Sequence, residues 1–222
     1  MSQGIANLFS SFMLSCEDRN ATREATLRAL AQTHWSAEPE IVMDDGIGES
    51  RIQRIHRTWR RVIQRAAEAP TRCVLLLEDD LVFGRWFTHN LLSWPLLHNV
   101  PPGGALYASL YNPSQPFIVQ RPGERYAVAH PRFLWGAQAL VMTPAMASYL
   151  DANWDRVQGN PDQRMPRIAS RVTAIYLHVP SLVDHAPVPT TWGGVAHRAH
   201  DFDAEWRADA ASAVALPEGF GL

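Results

Sequence analysis

The segment Cys73-Val74-Leu75-Leu76-Leu77-Glu78-Asp79-Asp80-Leu81-Val82-Phe83 constrains this chain more than any other. Five apolar residues run directly into three consecutive acids. A continuous apolar run of that length predicts a strand buried on both faces. Three carboxylates at its C-terminal end repel one another and resist leaving water. A divalent cation offsets that repulsion, and oxygen ligands suit Mg²⁺ or Mn²⁺, which also bind phosphates. Ligands of open α/β sheets sit beyond the carboxyl ends of the strands. The motif therefore points to a metal–diphosphate site at a sheet edge. A solvated acidic turn after a strand is the plainer alternative.

The flanking pattern supplies the sheet. A strand is predicted at 9–15, then a helix capped by Asn20 and running to about Thr33. A short strand at 40–43 stops at the turn signal Asp44-Asp45-Gly46. Ser50 is a helix cap, and Ile52, Ile55, Trp59, Val62, Ile63 and Ala66 follow in the spacing of an amphipathic helix. This strand–helix–strand–helix–strand order implies an α/β protein with a parallel sheet and right-handed crossovers. The second half is less regular. It predicts a helix at 86–97 disturbed by Pro95, strands at 105–111, 117–120, 126–129 and 137–142, and a helix opened by Pro144. A short helix begins at Asp162, and a last strand spans 174–179. The tail after His185 is rich in Pro, Gly, His and Trp and reads as irregular chain that closes over a ligand.

A chain of 222 residues buries one sizeable core. A net charge of −2 supplies no basic field for nucleic acid or anionic lipid. The arginines between 51 and 65 recur at helical spacing, as on a solvated helix face. No segment approaches the roughly 20 apolar residues of a membrane span, and the N-terminus lacks the pattern of a signal peptide. Two cysteines, Cys16 and Cys73, read as free thiols, and a cytoplasmic location is expected.

Several segments together resemble the GT-A glycosyltransferases, the nucleotide-sugar-dependent class with a Rossmann-like half. Glu78-Asp79-Asp80 is similar to their DxD-type metal motif, with Glu in its first position. The stretch 12–19 resembles their nucleotide-binding opening, though Ser15-Cys16-Glu17-Asp18 is acidic for a diphosphate neighbour. Met43-Asp44-Asp45-Gly46 resembles the turn that meets base or ribose, and Trp135-Gly136-Ala137-Gln138-Ala139 the strand flooring the donor and acceptor site. Pro161-Asp162 resembles the segment that carries a catalytic base. Pro180-Ser181-Leu182-Val183-Asp184-His185, followed by Trp192-Gly193-Gly194, resembles a late segment of bacterial and phage-encoded members whose His completes the metal site. The resemblance covers about residues 9–200. It implies one GT-A domain, with a nucleotide-binding half at 9–83, a donor and acceptor half at 84–185 and a tail or lid at 186–222.

It also implies roles. Asp80 and His185 would ligate Mn²⁺ or Mg²⁺. Strand alternation would put Glu78 and Asp80 on one face and turn Asp79 away, with Glu78 or Asp79 acting through water or on the ribose. Ser15, Asp18 and Arg19 would line the nucleotide, Arg19 reaching its phosphates, and Asp44 or Asp45 would accept from uracil or ribose. Trp135, Gly136 and Trp192 would meet the sugar. Asp162 would be the general base of an inverting transfer, or simply a helix cap; Asp151 and Asp155 rank below it. His197, Arg198 and His200 would neutralise a leaving phosphate when the tail folds over the site, or else lie in a solvated loop. The expected reaction is sugar transfer from a UDP-sugar to a hydroxyl on a glycan, protein, metabolite or modified DNA base. A non-catalytic sugar-nucleotide or glycan-binding module and a metal-dependent nuclease or phosphoesterase are the alternatives.

Overall fold

A computed structural model describes residues 5, 7–44, 46, 50–113, 117–188 and 197–209. Its centre is an eight-stranded sheet of order β2-β1-β3-β8-β5-β9-β7-β6. The strands are β1 (Phe9–Cys16), β2 (Glu40–Asp44), β3 (Cys73–Leu77), β5 (Tyr107–Ser109), β6 (Phe117–Arg121), β7 (Tyr126–Ala129), β8 (Ala139–Met142) and β9 (Ile175–His178). β1 pairs in parallel with β2 and β3, and β5 with β9. Only β8 and β7 run against the other strands, so the α/β sheet is mostly parallel in direction. A separate two-stranded ribbon joins β4 (Leu81–Phe83) to β10 (Val183–His185).

The helices are α1 (Asn20–Gln32), α2 (Arg51–Ala67), α3 (Phe87–Leu92), α4 (Pro95–Asn99), α5 (Pro144–Asn153) and α6 (Pro161–Ala169). They cover both faces of the sheet. On one face Val74 and Leu76 of β3 join Val62 and Ile63 of α2, Leu150 of α5 and Ile168 of α6. On the other, Leu75 and Leu77 join Leu30 of α1 and Phe87 and Leu91 of α3. Every residue of β3 is fully buried, which explains the unbroken apolar run. Each such leucine contributes about 1.5–3 kcal/mol by leaving water.

Local signals account for most boundaries. Ser50 and Gln53 close a reciprocal capping box on α2. Asn20 is no cap: the turn Glu17–Arg19 runs into α1, and Arg19 holds the cap position without a side-chain bond. The helix expected at 86–97 divides into α3 and α4, because Pro95 cannot donate within a continuing helix and instead opens the next one. β9 is not the last strand, since β10 follows it. Cys16 and Cys73 are free thiols, and burial pushes Cys73 up to about 11.

Candidate active site

Parallel pairing of β1 and β3, with Met13 opposite Leu77, sets their carboxyl ends side by side. The chain leaving β3 therefore enters the space beside Ser15. Ser15 Oγ donates to Asp79 Oδ2 at 2.5 Å. Arg19 Nε donates to Asp79 Oδ1 at 2.7 Å, and its Nη2 to Asp80 Oδ2 at 2.6 Å. One guanidinium thus bridges both aspartates. The expectation that Asp79 points away from Asp80 fails because β3 ends at Leu77, so strand alternation does not extend through the acids. Arg19, expected on a phosphate, is engaged by these two carboxylates.

Helix α1 also fixes the acidic turn. Thr26 Oγ1 donates to the Asp79 carbonyl at 2.7 Å and accepts from the Leu81 N–H at 3.2 Å. On the other side, the Glu78 N–H donates to the Gln138 carbonyl at 2.8 Å. Burial pushes the Asp79 carboxyl up, against the pull of Ser15 and Arg19. Glu78 is half-buried, and its carboxyl is held well above the usual carboxylate range by withdrawal from solvent and by repulsion from Asp80.

The ribbon of β4 and β10 brings in His185, which pairs with Leu81. His185 Nε2 lies 3.2 Å from Asp80 Oδ2. Its Nδ1 lies 2.8 Å from the Ala186 carbonyl, which can only accept, so Nδ1 carries a proton. The Ala186 N–H donates back to the Asp80 carbonyl at 2.8 Å. The hydrogen bond to Asp80 raises the imidazole to about 9, against the effect of burial. Asp80 Oδ1 is buried and has no hydrogen-bond partner. Asp80 and His185, the expected ligand pair, are thus brought together. Among the described residues no group of three or more His, Cys, Asp and Glu gathers as a metal cage.

Asp162 lies in the first turn of α6 but does not cap it. Asn160 holds the cap position, and Asp162 Oδ2 accepts from the Gly136 N–H at 3.1 Å. Its charge adds a small part to the rise of the Glu78 carboxyl. Asp151 and Asp155 are drawn to α2 instead, where Arg60 binds them at 3.0 and 3.2 Å. Trp135 is half-buried with its ring edge-on to His197, 4.4 Å between centroids. Asp44 pairs with Arg54 at 3.3 Å and accepts from the Gly46 N–H, and so shapes its own turn. Asp18 is exposed. Asp45 and Trp192 lie outside the described residues.

The expected cationic group of the tail is divided. His197 meets Trp135, His200 Nδ1 meets the Asn112 carbonyl at 3.0 Å, and Arg198 Nε donates to Asp184. Asp184 was not foreseen. Its buried carboxylate accepts from the His185 and Ala199 N–H groups, both at 2.8 Å, and ties the tail to the strand that carries His185. Arg23 was also missed. It donates to Ser15 Oγ at 3.0 Å, and its position one helical turn beyond Arg19 was the available signal.

No family model and no curated protein matches the chain. Solved structures do match it. A glycosyltransferase involved in the glycosylation of the major capsid of PBCV-1 is 11% identical with a TM-score of 0.40, over 78% of this chain and 93% of that one. The 4-diphosphocytidyl-2C-methyl-D-erythritol synthase of Anaerococcus prevotii is 9% identical with a TM-score of 0.44, over 80% and 89%. A CMP:2-keto-3-deoxy-manno-octonic acid synthetase is 10% identical with a TM-score of 0.44, over 77% and 88%. Among the described residues no helix is long and apolar enough to cross a membrane.

Proposed function

We propose that this protein is a glycosyltransferase of GT-A type that moves a sugar from a nucleotide donor, a UDP-sugar, to an acceptor hydroxyl with inversion. The observation that carries this reading is Asp80 Oδ1, a buried carboxylate oxygen without a partner, beside an imidazole whose proton is fixed on Nδ1. An orphaned buried oxygen is costly unless something binds it. One carboxylate and one imidazole, completed by substrate phosphates and water, suit Mn²⁺ or Mg²⁺. Asp80 and His185 would hold that cation, whose chemistry when bound is to offset the negative charge of the departing diphosphate.

The chain's own groups have separable tasks. Ser15 and Arg19 occupy Asp79, which positions the turn and keeps Asp80 oriented. Asp162 spends Oδ2 on Gly136 and leaves Oδ1 to take the proton of the acceptor hydroxyl. Trp135 offers a ring to a sugar face. Asp184 fixes the backbone of His185 through its amide.

Calorimetric titration of UDP, CDP and GDP with and without Mn²⁺, alongside nucleotide release from their sugar esters, tests the proposal. Metal-enhanced binding that Asp80→Asn abolishes is expected. Nucleotide binding of equal strength without metal would refute it. Hydrolysis of the donor would exclude a purely binding role.

A further inference from the structure

The two aspartates of the acidic turn already share a cation, and it belongs to the chain. Arg19 Nε lies 2.7 Å from Asp79 Oδ1, and its Nη2 lies 2.6 Å from Asp80 Oδ2. Both carboxylates are buried, and the arginine side chain is only 11% exposed. Adjacent buried carboxylates repel, and one guanidinium between them offsets part of that repulsion. A divalent ion at Asp80 would perform the same task.

The ion and the guanidinium conflict at Asp80. His185 Nε2 is 3.2 Å from Asp80 Oδ2, so the two residues expected to share an ion meet at the oxygen that Arg19 holds. The bare Oδ1 belongs to the same carboxylate. Whichever oxygen the ion takes, a doubly charged cation stands beside a guanidinium in a site withdrawn from water. Like charges are poorly screened there.

Arg19 has a second anchor. Its bond to Asp79 does not depend on Asp80, and Asp79 is held from the other side by Ser15 Oγ at 2.5 Å. Arg23 donates to that Ser15 Oγ at 3.0 Å, and Thr26 Oγ1 to the Asp79 carbonyl at 2.7 Å, so α1 braces the anchor. The guanidinium can therefore leave Asp80 and stay on Asp79. We infer that Arg19 is a built-in counter-ion of Asp80 which a divalent cation displaces on binding, with Asp79 retaining the arginine. The inference rests on the metal reading above and adds the residue that sets how tightly the metal binds. It also gives Asp79 a task other than ligation. Arginine suits the role, since its planar fork spans two carboxylates where a lysine ammonium is a point charge.

The test is calorimetric titration of the full chain with Mn²⁺ alone, and with UDP present if the wild type binds the ion too weakly to measure without it. Arg19→Gln should bind Mn²⁺ roughly tenfold or more tightly than the wild type, because the competing charge is gone. Arg19→Lys serves if the first variant does not fold, and should gain in the same direction by a smaller factor. Unchanged or weaker Mn²⁺ binding in a folded variant would mean that Arg19 does not compete for Asp80, and would overturn the inference. A second measurement needs no variant: Mg²⁺ titration of the wild type followed by NMR of the Arg19 side chain. Bound Mg²⁺ should shift the Nη signals strongly and the Nε–H, which Asp79 retains, weakly. Guanidinium signals that ignore bound Mg²⁺ would overturn the inference as well. A wild type and variants that bind no Mn²⁺, with or without UDP, overturn the proposed function and this inference together. The earlier failures occur in a chain that does bind the ion, and strike the inference alone.

Discussion

Nε2 of His185 stands 3.2 Å from Oδ2 of Asp80, and the same oxygen receives Nη2 of Arg19 at 2.6 Å. Two cationic donors therefore converge on one carboxylate oxygen while its twin is left bare. The charge state of the imidazole depends on that arrangement.

In metal-free protein the His185 ring should titrate near 9, above its ordinary 6.5. The folded state then holds a proton that the unfolded chain releases, so this contribution is complete below pH 6.5 and is lost as pH rises through about 9. The raised Glu78 carboxyl acts in the same sense, since it too holds its proton longer in the folded state. The His185 part amounts to at most about 3 kcal/mol. NMR titration of the imidazole, with urea denaturation on either side of the window, measures both. Asp80→Asn should move the ring back toward its ordinary value; a ring unaffected by that change would refute the assignment.

Arg19→Met leaves Asp79 and Asp80 facing each other in a buried turn. A loss of about 3–5 kcal/mol is expected. Ser15→Ala removes a neutral donor to Asp79 and should cost about 1–3 kcal/mol. Urea denaturation ranks the two, and an Arg19 variant as stable as the wild type would show that the carboxylates protonate or separate without difficulty.

Asp162→Asn retains an oxygen for the Gly136 N–H, so stability should change little. Transfer should fall by about 10²-fold or more, because the amide cannot accept the acceptor's proton. Donor binding should be nearly unchanged. A product that keeps the donor's anomeric configuration, read by NMR, would deny Asp162 this role even if the variant is slow.

Asp184→Ala removes the shared acceptor of Arg198, Ala199 and His185. Hydrogen exchange at the Ala199 amide should accelerate strongly, while the amides of β3 keep their protection. Unchanged exchange at Ala199 would mean that the tail is held by Ser181–Asp201 and His200–Asn112 instead.

What could be read from the sequence followed the strength of local signals. β3 was legible because burial on both faces leaves an unbroken apolar run, and α2 because its stripe and Ser50 agree. β4 and β10 were not, since strands of three residues are too short for any period to emerge. Asn20 misled because a cap residue is equally at home inside a first turn when a tighter turn precedes it. The meeting of Asp80 with His185 was expected from resemblance. The bridging of Asp79 and Asp80 by Arg19 was not, because it depends on where the strand stops. Asp184 and Thr26 carry no sequence signal: their partners are set by tertiary contacts alone.

Leu81 faces His185 across the small ribbon, so the imidazole reaches Asp80 by counting residues along two short strands. Side chains alternate at every step, and a slip of one residue turns the ring to the opposite side. Substitutions within 81–83 or 183–185 should therefore be milder than insertions or deletions there. A single added residue between Pro180 and Val183 would leave the composition of the site intact and still separate acid from imidazole. This stretch is thus tolerant of spelling and intolerant of length, a signature that a deep library of substitutions and one-residue indels would reveal.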